Sequence, residues 1–430
     1  MKKRLLSALC AVMLLICAVP MASAQTGDAA RRADALTVLH LLSEDPGRDL
    51  TAPATRAQAA VLLVRLAGGE KKPDTDGWFA GFRDVPDWAR TAVNYANRRG
   101  WISGVSNVQF DPNGHLNADA WCAMLLRMLG YNDKTGDFEI SDAAAFAWRI
   151  GLTGRQLIGI LSVGDLAESI YDALDFCYKG TETTVLSRLM DLGVCTASAA
   201  NALGLLNKDY TARQLADRYL SAAFQLSLYE TEEQVHDEVS SADASGFFIS
   251  ADGLAVTNYH SIEDSIKATA TLLNGETYEV ERVLYYDTGI DIAVIKVSRT
   301  NQSRRTTSAF NHLCLVGTAD IRPGDPVYAI GNPLGLGLAI SSGIIGSTAH
   351  ELDRYALPCI VNSADISRGS SGGALMNAHG QVIGVTSGAY TYGNNMYLAV
   401  PVDPVMAADL TVSGWTLKEV KAIEAAKDKD

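Results

Sequence analysis

The stretch Ala364–Leu375 reads ADISRGSSGGAL. It sets Ser370, Ser371, Gly372 and Gly373 in a row, flanked by an apolar run. So little bulk fits either a loose surface turn or a backbone folded tightly around a reactive hydroxyl. A serine hydroxyl is a weak nucleophile at neutral pH. It needs a base within hydrogen-bond reach, a carboxylate that orients the base, and N–H donors for the developing oxyanion.

The candidates for those partners stand upstream. His260 ends the run SGFFISADGLAVTNYH, which reads as a hairpin whose second strand delivers the imidazole to a loop. Asp291 directly precedes the apolar strand IAVIKV, and a carboxylate at the mouth of a buried strand is costly unless paired. Asp287 and Asp325 sit in turn-like contexts. GSSGG also satisfies the Gly-x-Ser-x-Gly spacing of the hydrolase elbow, but that fold places its histidine after the serine. The one later histidine, His379, follows Ser371 by only eight residues. The order His260, Asp291, Ser371 is instead that of the chymotrypsin class.

With TNYH, DIAV and RGSSGGAL in that order, and AIGNPLGL at Ala329–Leu336, residues 245 to 404 resemble the trypsin-fold serine proteases of the HtrA/DegP type. The resemblance implies an all-β double barrel and a serine endopeptidase working through an acyl-enzyme. It implies Ser371 as nucleophile, His260 as general base and Asp291 as its orienting acid. It further implies an oxyanion hole from the backbone of Gly369 and Ser371, with Ser370 between them. Asp365, six residues before Ser371, falls with Ile366 where trypsin-like members build the specificity pocket. An acid there selects Lys or Arg in digestive proteases, whereas HtrA-type members have a small apolar residue.

The preceding half has another rhythm. From about Ala33 to Gly204, Ala, Leu and Met recur at three- and four-residue spacing, the pattern of amphipathic helices. It also repeats: LTAPATRAQAAVLLVRLAGG, then FDPNGHLNADAWCAMLLRMLG, then a degraded LIGILSVGDLAESIYDALDF. These units resemble S-layer homology repeats, which grip bacterial cell-wall polysaccharide as an all-α bundle. The resemblance implies that Arg56, in the Thr55–Gln58 tetrad of the first copy, contacts glycan. The corresponding positions are Ala118 and Val163 in the other copies, and neither can make that contact.

The organisation expected is therefore a signal peptide (1–24), helical repeats (25–205), a helix with an acidic linker (206–244), the protease domain (245–412) and a charged tail (413–430). The first residues, MKKRLLSALCAVMLLICAVPMASA, carry a basic start, an apolar core too short to span a bilayer and small residues before a cleavage point. A secreted, cell-wall-associated enzyme follows as the expectation, with protein or peptide substrates and wall polysaccharide as partners. The net charge of −13 argues against nucleic acid. No metal cluster or nucleotide fingerprint stands out, so neither metal nor cofactor is expected. Cys122, Cys177, Cys195, Cys314 and Cys359 form no CxxC, and whether Cys314 and Cys359 pair is open. Two alternatives stand beside the favoured one: a non-catalytic scaffold on a protease fold, and a protease held latent by its N-terminal half. Oligomeric state is open.

Overall fold

The computed structural model describes residues 28–45, 48–69, 79–181, 183–206, 208–389 and 395–427; the signal segment 1–24 lies outside them. The chain divides into two compact units. One runs to residue 206 apart from 149–151; the other comprises 149–151 and the residues from 207 onward.

The first unit is helical. Three helices of equal length, Arg56–Leu66, Ala118–Met128 and Val163–Ala173, begin at the three repeated stretches. Each starts at a polar N-cap. Thr55 accepts from the N–H of Gln58, Asn117 from that of Ala120 and Ser162 from that of Asp165, so one orphan donor of each first turn is satisfied. Gln58 and Asp165 reach back to complete capping boxes. Immediately before the caps the backbones meet in a ring. Ala54 N–H donates to Leu161 O at 2.8 Å, Leu161 N–H to Leu116 O at 2.9 Å, and Leu116 N–H to Ala54 O at 3.1 Å. Each copy thus gives one bond and takes one, an arrangement with approximate three-fold symmetry. Beneath it Leu63, Trp121, Leu125, Leu166 and Ile170 are fully or almost fully buried, and Trp121 Nε1–H finds Ser169 Oγ at 2.8 Å.

The second unit is two closed six-stranded barrels. The first contains β1 (Ala223–Tyr229), β2 (Ala242–Phe248), β3 (Leu254–Thr257), β4 (Lys267–Leu272), β5 (Thr277–Asp287) and β6 (Ile292–Asn301). The second contains β7 (Pro326–Gly331), β8 (Ala339–His350), β9 (Cys359–Asn362), β10 (Ala374–Asn377), β11 (Val382–Ala389) and β12 (Tyr397–Pro401). Around each ring the order is the same: β1-β2-β3-β6-β5-β4, then β7-β8-β9-β12-β11-β10.

Strand period two explains why segments such as IAVIKV are apolar on both faces. In β6, Ala293 and Ile295 point into the first barrel, while Ile292 and Val294 point at the second. In β2, Phe248 faces inward, stacked on Phe310 at 4.2 Å, while Phe247 joins the inter-barrel core. From the second barrel Ile330, Val361, Ala374, Val385 and Val400 meet them, while Ile383 and Ala399 fill its interior. Burying each large apolar side chain contributes roughly 1.5–3 kcal/mol, so the layer between the barrels fixes their mutual position.

Two expected boundaries need correction. The stretch 206–244 is not a linker. Its residues AFQLSLY form β1, which pairs with both β2 and β4 and closes the first barrel, and its Glu232–Asp237 segment is a short helix. Alternation in AFQLSLY puts Phe224, Leu226 and Leu228 into the core, a pattern the acidic neighbours concealed. Nor is 413–427 merely a charged tail. Trp415 exchanges two backbone hydrogen bonds with Val283, and the helix Leu417–Lys427 buries Leu417 and Val420 against the first barrel. The five cysteines are all free, so Cys314 (exposed) and Cys359 (buried) do not pair.

Candidate active site

β3 ends at Thr257, and one helical turn, Tyr259–Ile262, brings His260 to the edge of the first barrel. Asp291 arrives from the adjacent turn. Asp287 Oδ1 accepts the N–H groups of Gly289 and Ile290, Asp291 N–H donates to Asp287 O, and Asp291 itself adopts φ +66°. That left-handed conformation is uncommon outside glycine. Here the Asp287-centred turn enforces it, and it points the carboxylate back at His260.

Asp291 is 5% exposed, so its charge must be satisfied from within. His260 Nδ1 lies 2.8 Å from Oδ2 and 3.0 Å from Oδ1, and the His260 backbone N–H donates to Oδ1 at 2.9 Å. Ser387 Oγ, on β11, donates to Oδ2 at 2.8 Å. Asn258 Nδ2 donates to the Asp291 carbonyl at 2.8 Å, fixing the turn to the segment that carries His260. Because the Ser387 hydrogen is committed to Asp291, Tyr355, 2.9 Å away, donates its hydroxyl to Ser387 Oγ. Burial raises the Tyr355 phenol above its usual pKa, keeping it protonated for that role.

Ser371 sits on the loop between β9 and β10, half-buried. Its Oγ donates to the Ser387 carbonyl at 3.1 Å. Ser387 therefore touches both halves of the constellation, its hydroxyl on Asp291 and its carbonyl on Ser371. Among the described residues no hydrogen bond joins Ser371 to His260. Ser370 is 4% exposed. Its carbonyl accepts from Thr386 Oγ1 and from Gly373 N–H, so its peptide is enclosed while its neighbour's hydroxyl stays accessible.

Two glycines make this loop possible. Gly369 has φ +94°, and a Cβ there would stand 2.5 Å from Asn332 O. Gly372 has φ +85°, with a Cβ position 2.2 Å from Ser245 O. The Gly369 carbonyl is turned away to accept from Ser245 Oγ at 2.7 Å, and Ser245 N–H holds the Ser371 carbonyl at 2.8 Å. Ser245 Oγ also accepts from Asn332 N–H at 2.8 Å. Among the described residues the N–H groups of Gly369 and Ser371 have no hydrogen-bond partner, so this turn presents unpaired donors beside the serine hydroxyl.

Asp365 and Ile366 line a cavity of about 210 Å³ together with Ile340, Ser367, Ser370 and Thr386. Asp365 is exposed, but Oδ1 accepts the hydroxyl hydrogen of Tyr397; that bond holds the Tyr397 phenol above its usual pKa. Arg56 lies in the helical unit and is engaged there. Its Nε donates to Phe110 O at 2.9 Å, an Nη to Ser103 O at 2.7 Å, and the guanidinium lies over the Phe110 ring. The side chain ties two loops of its own unit together.

Ser387 and Ser245 escaped the sequence reading. The one available signal was a polar pair, Thr386-Ser387, directly after the apolar run VIGV, since buried hydroxyls need partners.

Two like-ordered antiparallel barrels, with this loop set at their junction, define the class, and the trypsin-like peptidase domain family matches residues 244–385. The relatives are serine proteases of the HtrA and DegP kind. Serine protease HTRA1A of Danio rerio is 31% identical over 219 residues, 50% of this chain and 44% of its own. A probable periplasmic serine endoprotease, DegP-like, of Halomonas elongata is 35% identical over 177 residues, 40% and 35% of the two chains. Mitochondrial serine protease HTRA2 of Bos taurus is 36% identical over 171 residues, 39% and 35%. The chain thus spans less than half the length of these relatives. Among the described residues, no helix is long and apolar enough to cross a membrane.

Proposed function

We propose that this chain is a serine endopeptidase of the HtrA type, with Ser371 as nucleophile, His260 as general base and Asp291 as orienting acid. The observation that carries it is the Asp291 carboxylate, buried and bonded at once to His260 Nδ1 and to Ser387, whose carbonyl holds Ser371. Rotation of Ser371 about χ1 releases that carbonyl and turns the hydroxyl toward His260 Nε2. The oxygen then attacks the scissile carbonyl carbon while His260 takes its proton. The same proton passes to the leaving amine, and water repeats the sequence on the acyl-enzyme. Asp291 keeps Nδ1 protonated, leaving Nε2 as the base, and stabilises the imidazolium. The N–H groups of Gly369 and Ser371 bind the oxyanion, each such donor contributing about 2.7–4 kcal/mol.

The side-chain pocket for the scissile residue is assigned to the cavity beside Asp365 and Ile366. With Tyr397 bonded to Asp365, and Ile340 and Ile366 on its walls, it favours apolar side chains over Lys and Arg. Cleavage of a peptide library decides this; dominant cutting after basic residues would reverse the assignment.

The N-terminal half is assigned to S-layer-homology-like repeats that hold a secreted enzyme at the cell wall. The three capped helices and their hydrogen-bonded ring support a triple repeat. The domain boundaries implied are helical repeats to about residue 205 and a peptidase unit beginning before β1. A fluorophosphonate probe tests the enzyme: it should label the full chain and fail on Ser371→Ala. Labelling that survives this change and is lost in Ser370→Ala would move the nucleophile.

A further inference from the structure

Tyr355 lies in the loop between β8 and β9 and touches neither His260 nor Ser371 by a hydrogen bond among the described residues. Its N–H donates to Leu352 O at 2.9 Å, closing a turn, and its ring sits in the apolar layer between the barrels. A phenol hydroxyl at that depth needs a partner. It finds Ser387 Oγ at 2.9 Å, and Ser387 Oγ in turn meets Asp291 Oδ2 at 2.8 Å. The following residue makes a second contact with the same region. Ala356 N–H donates to Gly289 O at 2.7 Å, and a Cβ on Gly289 would stand only 3.2 Å from that of Ala356. Gly289 belongs to the Asp287-centred turn that holds Asp291 in its left-handed conformation. One short loop of the second barrel thus reaches the acid twice, through the backbone of its turn and through the hydroxyl that donates to it.

The sense of the hydrogen bonds follows from the donors each group owns. An ionised carboxylate only accepts, whereas a serine hydroxyl has a single hydrogen and rotates to suit its surroundings. The β11–β12 register shifts between Thr386 and Gly388, and Ser387 occupies that irregularity, where a strand re-aims a side chain. If Ser387 turned its hydrogen toward Tyr355, the buried Asp291 would lose a donor that water cannot replace. With Tyr355 donating, the Ser387 hydrogen is committed to Asp291, and the bonds run Tyr355 to Ser387 to Asp291 to His260. Hydrogen bonds in series polarise one another in a low dielectric, so the first orders the last.

We infer that Tyr355 is a positioning residue for the proposed reaction: acting through Ser387, it keeps the Asp291 carboxylate on His260 Nδ1. The inference rests on the peptidase reading above and adds to it a residue from the loop between β8 and β9, outside the strands and turns that carry the triad.

Tyr355→Phe in the full chain tests it, since the change removes the hydroxyl and keeps the ring in its layer. The probe is a fluorophosphonate, whose reaction with Ser371 needs the same base. Its maximal labelling rate should fall roughly three- to tenfold, with the half-saturating concentration unchanged. The proton resonance of His260 Nδ1–H should shift, a signal that a merely structural role would leave in place. In a Ser387→Ala background, Tyr355→Phe should cost no further rate, because the residue it acts through is gone. An unchanged rate, a matched rise in the half-saturating concentration, an unmoved resonance, or a loss that multiplies with that of Ser387→Ala would overturn the inference. The parent chain separates this failure from the wider one. A parent that takes no label ends the peptidase reading itself, whereas a labelled parent beside an indifferent Tyr355→Phe ends only the role of Tyr355.

Discussion

In the first barrel, His260 and Asp291 are held by side chains and charge: a buried carboxylate takes bonds from an imidazole, a backbone N–H and a serine hydroxyl. In the second barrel, which has the same strand order, Ser371 is held by backbone. Its loop is fixed through carbonyls gripped by Ser245 and Thr386 and through glycines in conformations other residues avoid. On the proposed reading the difference follows from what each half must do. A base needs its proton position and charge controlled, which only an ionised partner supplies. A nucleophile with its oxyanion donors needs peptide planes aimed, which tight turns supply.

The contrast can be broken at several points. Ser371→Ala should cost the most, lowering turnover by about a millionfold while leaving the first barrel's His260–Asp291 pair in place; steady-state kinetics and probe labelling measure it. Asp291→Asn keeps the shape but reverses the tautomer control, and kcat should fall by about ten-thousandfold. Ser245→Ala sharpens the comparison, because it removes the hydroxyl that holds the Gly369 carbonyl and accepts from Asn332 N–H while leaving the His260–Asp291 pair untouched. With that carbonyl released, kcat should drop by about a hundredfold with little change in KM, and a matched loss in KM would argue for general disorder instead. The smallest effect on chemistry is expected from Leu417→Ala, far from the serine. It should leave kcat nearly unchanged and destabilise the unit by about 2–5 kcal/mol, read from denaturant unfolding.

What the sequence disclosed follows the same division. The residues proposed for the chemistry stand out in the sequence by their types and places: the Gly-x-Ser-Gly-Gly turn, a histidine at a strand end, an acid before a buried strand. Their order excluded the hydrolase elbow, because order along the chain survives folding. Ser245 and Ser387 were not legible, since a hydroxyl gains its meaning from the acceptor that lies opposite it, and folding brings that acceptor from far along the chain, 124 residues away for Ser245 and Gly369 and 96 for Ser387 and Asp291. β1 was missed for a related reason. Its alternation is plain once paired, but its charged surroundings read as solvent-facing connector. The tetrad around Arg56 also carries a helix-capping signal, and the arginine closes two loops of its own unit.

The ring formed by Ala54, Leu116 and Leu161 also sets a rule for how this half of the molecule can grow. Every seam is already taken, each copy having one giver and one receiver, so a fourth unit would find no open edge to join. Losing one would strand the remaining two with a bare donor and a bare acceptor. Unlike an open solenoid, which can lengthen by duplication, this bundle is closed at three, and insertions can enter only through the loops that connect its members.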